Sequence, residues 1–179
     1  MAHSTEPLLE VGIRRICRDF SHAREPVLQP AGAYTNHIKE LSMQKIQGGC
    51  LCGKVRYRSN AEPIMTAICN CKNCQRQTGT AFSIIVAVPK GALIMEGAEP
   101  DTYRDVGESG LSVLRRFCSR CGSPIFSEAA AMPTVDWVKA GTLDDTTWLD
   151  PQINIWCDSA QPWVQMNDAI PRIPRNPPA

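Results

Sequence analysis

Histidine is missing from most of this chain: His3, His22 and His37 are its three histidines, and none follows them. The cysteine-rich remainder therefore has no imidazole to act as metal ligand or general base. A metal there must be held by thiolates, with help from a carboxylate or water. The chain also lacks an apolar run long enough for a transmembrane helix, and a leading basic, apolar and small-residue pattern of the secretory kind. An excess of either charge is absent too, with 19 Lys and Arg against 18 Asp and Glu, a formal +1. Broad neutralisation of phosphates is not supported, so neither nucleic acid nor membrane is an expected partner. A reducing, cytoplasmic setting is the expectation. Closely spaced cysteines are there read as metal ligands or reactive thiols before disulfides.

Cysteine is what the chain has in abundance. Seven of nine fall in three tight clusters: Cys50 with Cys52, Cys69 with Cys71 and Cys74, and Cys118 with Cys121. Cys17 and Cys157 stand alone and are expected as unliganded thiols. With 179 residues, 43% of them apolar, the chain suits one cored domain with an appendage.

The organisation reads in three parts. Residues 1–43 balance Arg14, Arg15, Arg18, Arg24 and Lys39 against Glu6, Glu10, Asp19, Glu25 and Glu40. Pro26 and Pro30 interrupt their weak helical pattern, so a flexible extension is expected, with Met43 as an alternative start. Residues 44–170 carry short strand patterns: alternation over 54–58, β-branched residues over 81–88, and further runs over 112–117, 124–127, 135–140 and 152–157. Pro89-Lys90-Gly91 predicts a turn into residues 92–95 and hence a hairpin. A short helix is predicted from Lys72 to a stop at Gly79. Residues 171–179 are proline-rich and expected to be extended and frayed. The predicted fold is mostly β, with short antiparallel strands.

Spacing then divides the cysteines. Cys50, Cys52, Cys118 and Cys121 complete a four-thiolate site, the usual closed arrangement of structural zinc, which would tie the start of the domain to a distant corner. Cys69, Cys71 and Cys74 remain as three ligands running from a turn into a first helical turn. Two readings of this trio stand: an open site suited to catalysis, or a closed one completed by a carboxylate or Cys157. A third reading has Cys71 and Cys74 cycling as a redox pair. Lys72 and Arg76 flank the trio, and Arg115, Arg116 and Arg120 flank the 118–121 knuckle. Either set can offset thiolate charge or simply face solvent, and Lys72 or Arg76 can also receive a substrate carboxylate. Trp137, Trp148, Trp156 and Trp163 are expected in the core and at its rim.

Three stretches carry a resemblance: Gly48-Gly49-Cys50-Leu51-Cys52-Gly53, Cys69 through Gly79, and Phe117-Cys118-Ser119-Arg120-Cys121-Gly122. Together with Ala140-Gly141-Thr142-Leu143-Asp144-Asp145 and Pro162-Trp163, they resemble the glutathione-dependent formaldehyde-activating enzyme family, which includes centromere protein V-like proteins. The resemblance implies a β-tent fold with two zinc ions per chain. It implies a structural site at Cys50, Cys52, Cys118 and Cys121, and a catalytic one at Cys69, Cys71 and Cys74. The implied activity is that of a carbon–sulfur lyase joining glutathione and formaldehyde as S-(hydroxymethyl)glutathione. Two mechanisms would suit an open site at the trio: zinc holding the incoming thiol as thiolate, or zinc polarising the aldehyde oxygen as a Lewis acid, with the first preferred because three thiolates weaken Lewis acidity. The competing expectation is a non-enzymatic, zinc-stabilised binding module of the centromere protein V-like kind, marked by a closed second site and a basic or apolar partner surface.

Overall fold

The structure, a computed structural model, describes residues 46–176. Expectations placed on residues 1–43, on Cys17 and on the histidines lie outside the described residues. In chain order the elements are β1 (Ile46–Gly49), β2 (Val55–Ser59), β3 (Met65–Cys69), α1 (Lys72–Thr78), β4 (Ser83–Pro89), β5 (Ile94–Gly97), β6 (Asp101–Val106), β7 (Ser112–Phe117), β8 (Pro124–Ala129), β9 (Val135–Lys139) and β10 (Ile153–Ile155). Strands β1, β2 and β5 form one antiparallel sheet. The other seven run in the order β10-β3-β4-β9-β8-β7-β6, antiparallel except for the parallel β10–β3 pair. This is the mostly β, tent-like architecture expected.

Strand alternation gives the large sheet two working faces. Val86 and Val138 are partners in the β4–β9 register, and so are Ile85 with Lys139 and Ala87 with Trp137. Val86, Val88 and Val138 pack with Ile46, Val55 and Tyr57 of the small sheet and with Ile125 and Phe126 into one core. Ile85, Ala87 and Trp137 point the other way and join Ala67, Cys69, Cys74, Ile155 and Trp156 in a second cluster. Each fully buried aliphatic chain contributes about 2 kcal/mol. The sheets are also joined at Gly48, which bridges to Leu143, while the Tyr57 hydroxyl lies 2.7 Å from Thr142 Oγ1.

The predicted hairpin of 81–88 with 92–95 does not form. The turn at Pro89 is present, with the Ala92 amide donating to the Pro89 carbonyl at 3.0 Å. Beyond it the chain changes sheets, however: β4 is flanked by β3 and β9, and β5 pairs with β2. Lys90 is held on the large sheet by Asp136 at 2.8 Å. Adjacency in sequence favours a hairpin, but the central position of β4 leaves neither edge for β5.

The knuckle is at the predicted corner between β7 and β8, with Gly122 in the left-handed region at φ 75°. Of the proline-rich tail, residues 171–176 are among those described. They are hydrogen-bonded to residues 154–158, including Asn154 N to Pro171 O and Ile173 N to Asn154 O, both at 2.8 Å.

Candidate functional site

The two ends of the four-cysteine group are brought together by β1 and by the β7–β8 corner. The Sγ atoms of Cys50, Cys52, Cys118 and Cys121 lie within 4.8 Å of one another. Cys50 and Cys52 are 3.5 Å apart and Cys52 and Cys118 are 3.8 Å apart. Four sulfurs about 2.3 Å from one tetrahedral ion would be separated by about 3.8 Å, so the spacing of this group suits a four-thiolate metal site. Crowding splits the thiols in acidity. The hydroxyl and amide of Ser123 pull Cys121 down to about 5. The Lys54 amide favours the Cys52 thiolate, but burial and the neighbouring sulfurs outweigh it and push Cys52 up to about 11.

The second group arises where β3 turns into α1. Cys69 ends the strand. The amide and side-chain nitrogen of Asn70 both donate to the Ile155 carbonyl, at 3.0 and 3.1 Å, which fixes the bend. Cys71 is the helix N-cap, its sulfur accepting from the Cys74 amide at 3.3 Å. Gly79, left-handed at φ 65°, ends the helix as predicted. Gln75 then braces the bend, donating to the carbonyls of Asn70 at 2.6 Å and Ser159 at 2.9 Å. The three sulfurs lie within 4.8 Å of one another and, among the described residues, no fourth His, Cys, Asp or Glu joins them. Cys157 is elsewhere, its thiol directed to the Asn154 carbonyl at 3.5 Å. Hydrogen bonds from Cys69 and Cys71 hold Cys74 low, while the same contacts push Cys69 up.

A cavity of about 120 Å³ opens beside this trio. Its apolar wall includes Ile85, Val113, Met132, Trp137, Ile155 and Trp156, and its polar residues include Arg115, Ser127 and Lys139. Trp156 sits at φ 58°, unusual for a bulky residue, and is fixed there by its indole N–H donating to Asn176 Oδ1 at 2.8 Å.

Arg115, which flanks the 118–121 knuckle in sequence, is neither solvent-facing nor directed to it. On β7 it faces the trio and is 7% exposed. Its Nε donates to Asp105 at 2.8 Å and its Nη1 to Gln77 at 2.9 Å. Burial works against its charge, but Asp105 and Cys74 together raise its pKa. Asp105 also accepts from Asn73 at 3.0 Å, so one carboxylate ties α1 to the sheet. Lys139 is 3% exposed, and burial lowers its pKa although Cys74, Cys69 and Cys71 oppose the shift. Lys72 and Arg76 are exposed, and neither lines this cavity. Arg116 instead pairs with Glu128 at 2.6 Å, and Arg120 is exposed.

A bent thiol trio, a companion four-thiol group and a mostly β fold narrow the comparison with known proteins. The family model for the glutathione-dependent formaldehyde-activating enzyme matches residues 45–159. The chain belongs to this family.

Among its relatives is a Halomonas elongata protein provisionally named a glutathione-dependent formaldehyde-activating enzyme. It is 25% identical over 126 residues, covering 68% of this chain and 80% of that one. Proteins of the same provisional name from Aspergillus flavus and Aspergillus oryzae are 27% identical over 108 residues, covering 58% of this chain but only 56% of each fungal protein. A crystal structure of a Rhodobacter sphaeroides protein aligns with a TM-score of 0.47 at 19% identity, over 71% of this chain and 99% of that one. Among the described residues no helix is long and apolar enough to cross a membrane.

Lys139, Ser127 and Arg115 are the site residues that sequence reasoning missed or misplaced. Lys139 falls within the strand predicted over 135–140, and its register opposite Ile85 puts it on the cavity side of the sheet. Of the tryptophans, Trp137 and Trp156 line the cavity, Trp148 packs on the first core and Trp163 is exposed.

Proposed function

We propose that the protein is a zinc-dependent carbon–sulfur lyase that forms or cleaves a thiol–aldehyde adduct, with S-(hydroxymethyl)glutathione from glutathione and formaldehyde as the reference reaction. In this reading Cys50, Cys52, Cys118 and Cys121 hold a structural zinc, and Cys69, Cys71 and Cys74 hold the catalytic one. The observation that carries it is the trio itself: three convergent thiols beside a cavity, with no fourth ligand among the described residues. A binding module would call for a closed second site. All-sulfur ligand sets suit zinc among the common divalent ions, and three protein ligands are the catalytic arrangement.

Zinc held by the trio would supply charge that favours ionisation of an incoming thiol at neutral pH. The chain's own residues supply the rest. Arg115 and Lys139 place positive charge beside Cys74, where it counts for more than it would in water. Asp105 holds Arg115 in that position. Trp137, Ile155 and Trp156 keep one side of the cavity apolar and exclude water from it. In the addition, sulfur bonds to the carbonyl carbon, the C=O π pair moves to oxygen, and a proton equivalent to the one lost by the thiol is taken up there. Cleavage is the reverse.

Exchange NMR on formaldehyde with glutathione tests the proposal. The zinc-loaded protein is expected to accelerate exchange above the spontaneous rate, and Cys71→Ser to lose that acceleration. Undiminished acceleration by Cys71→Ser would put the chemistry elsewhere.

A further inference from the structure

Two buried polar residues line the cavity with hydrogen-bonding capacity to spare. Lys139 Nζ reaches one acceptor, Ser83 Oγ, at 3.3 Å, although an ammonium carries three N–H groups. Ser127, 6% exposed, has its Oγ buried without any partner. Both residues line the same cavity. Ser127 pairs across the sheet with Trp137, and Lys139 lies two residues further along β9 on the same face. Buried polar groups are nearly always partnered in folded proteins, so two with unused capacity on one cavity wall point to an acceptor that enters from outside. Arg115 lines the same cavity, but its Nε and Nη1 are given to Asp105 and Gln77 and its charge is already paired with Asp105, so the subsite is drawn from Lys139 and Ser127.

We propose that Lys139 Nζ and Ser127 Oγ form a subsite for the carbonyl oxygen of an aldehyde whose apolar substituent lies against Trp137 and Ile155. The chemical class follows from the donors: they call for an oxygen that accepts hydrogen bonds. The substituent follows from the walls. Ile85, Val113, Met132, Trp137 and Ile155 make an apolar surface with no counterpart in formaldehyde, which has only two heavy atoms, while about 120 Å³ is room for several more. Lys139 lines the same cavity as Cys69, Cys71 and Cys74, so an oxygen held at its Nζ lies in the cavity that the thiols also border. As the thiol adds and the π pair moves to oxygen, donors already aimed at that atom stabilise the growing negative charge. For its part in catalysis this inference rests on the proposed function; as a binding site it stands alone.

Butyramide, a neutral carbonyl compound that the protein cannot turn over as an aldehyde, is the probe, with formamide as its shortened counterpart. Binding to the zinc-loaded protein is followed by ligand-observed NMR titration, with zinc content measured on every sample. Butyramide is expected to bind at least about tenfold more tightly than formamide, to weaken about tenfold or more in Lys139→Met, and to weaken several-fold in Ser127→Ala. Equal affinity for the two amides overturns the apolar part, and unchanged butyramide affinity in Lys139→Met overturns the oxygen subsite. Should Lys139→Met fail to fold, Ser127→Ala decides alone, because it removes one oxygen that already lacks a partner; unchanged affinity there is equally fatal. Lys139-dependent binding without thiol–aldehyde turnover would refute the proposed reaction and leave the subsite standing.

Discussion

Removing the Asp105 carboxylate should loosen the helix that carries Cys74. Its Oδ2 accepts from Arg115 Nε at 2.8 Å and from Asn73 Nδ2 at 3.0 Å, and its Oδ1 accepts from the Val106 amide at 2.8 Å. The Arg115 and Asp105 side chains are 9% and 18% exposed. Breaking a fully buried ion pair by deleting one partner costs about 3–5 kcal/mol, mostly through the charge left behind. Asp105 is not fully buried and Arg115 keeps Gln77, so Asp105→Ala is expected to cost about 2–3 kcal/mol. Urea unfolding of the metal-loaded protein at pH 7 measures it. Adding Arg115→Met removes the stranded charge, and the double-mutant cycle should show coupling of about 1–3 kcal/mol. A loss below about 0.5 kcal/mol, or no coupling, would refute the view that this pair locks α1 to the sheet.

Three further outcomes follow from other parts of the fold. Burial alone would raise the Glu128 pKa, but Lys90 and Arg116 bring it below its ordinary value. Its stabilising contribution is therefore complete above the unfolded value of about 4.3 and fades as pH falls through the lower folded one. Glu128→Gln should cost about 1 kcal/mol from pH 5 to 8, with the difference from wild type shrinking in more acidic urea titrations; a growing difference would reverse the sign. Gly48→Ala would press a Cβ into the Thr142 carbonyl oxygen and place it 2.5 Å from the Tyr57 hydroxyl. A loss of about 1–3 kcal/mol in thermal or urea unfolding is expected there, and an unchanged midpoint would contradict the packing. Cys118→Ser should lower the melting temperature more than Cys71→Ser, because only the former opens the group that ties β1 to the β7–β8 corner; calorimetry on both decides, and equal shifts would contradict the division of roles.

Spacing made the cysteine groups legible. Both form as the ligand arithmetic divided them, because a CxC or CxxC segment keeps its sulfurs close in almost any turn. The helix stop at Gly79 and the knuckle at Gly122 were legible for a related reason, since each uses a left-handed residue. Strand partners were not. The pattern over 81–88 identifies β4 but carries no information about whether β5, β3 or β9 flanks it, and the hairpin expectation failed there. Strand β6 was missed because Asp101, Arg104 and Asp105 on a largely exposed edge blur its alternation. The cavity polar groups were the least legible. Arg115 is adjacent in sequence to Arg116, yet strand alternation sends one to the trio and the other to Glu128. Lys139 and Ser127 meet the same cavity only through the register of three strands.

Cobalt(II) loaded in place of zinc and titrated with glutathione tests most directly whether the trio leaves room for a thiol. The sulfur-to-cobalt absorption of the wild-type protein should change with added glutathione, and the Cys71→Ser protein, retaining only its four-cysteine metal, should give no change. No response in the wild-type protein, with both sites shown to be loaded, would contradict the account and make the second site a closed, structural one.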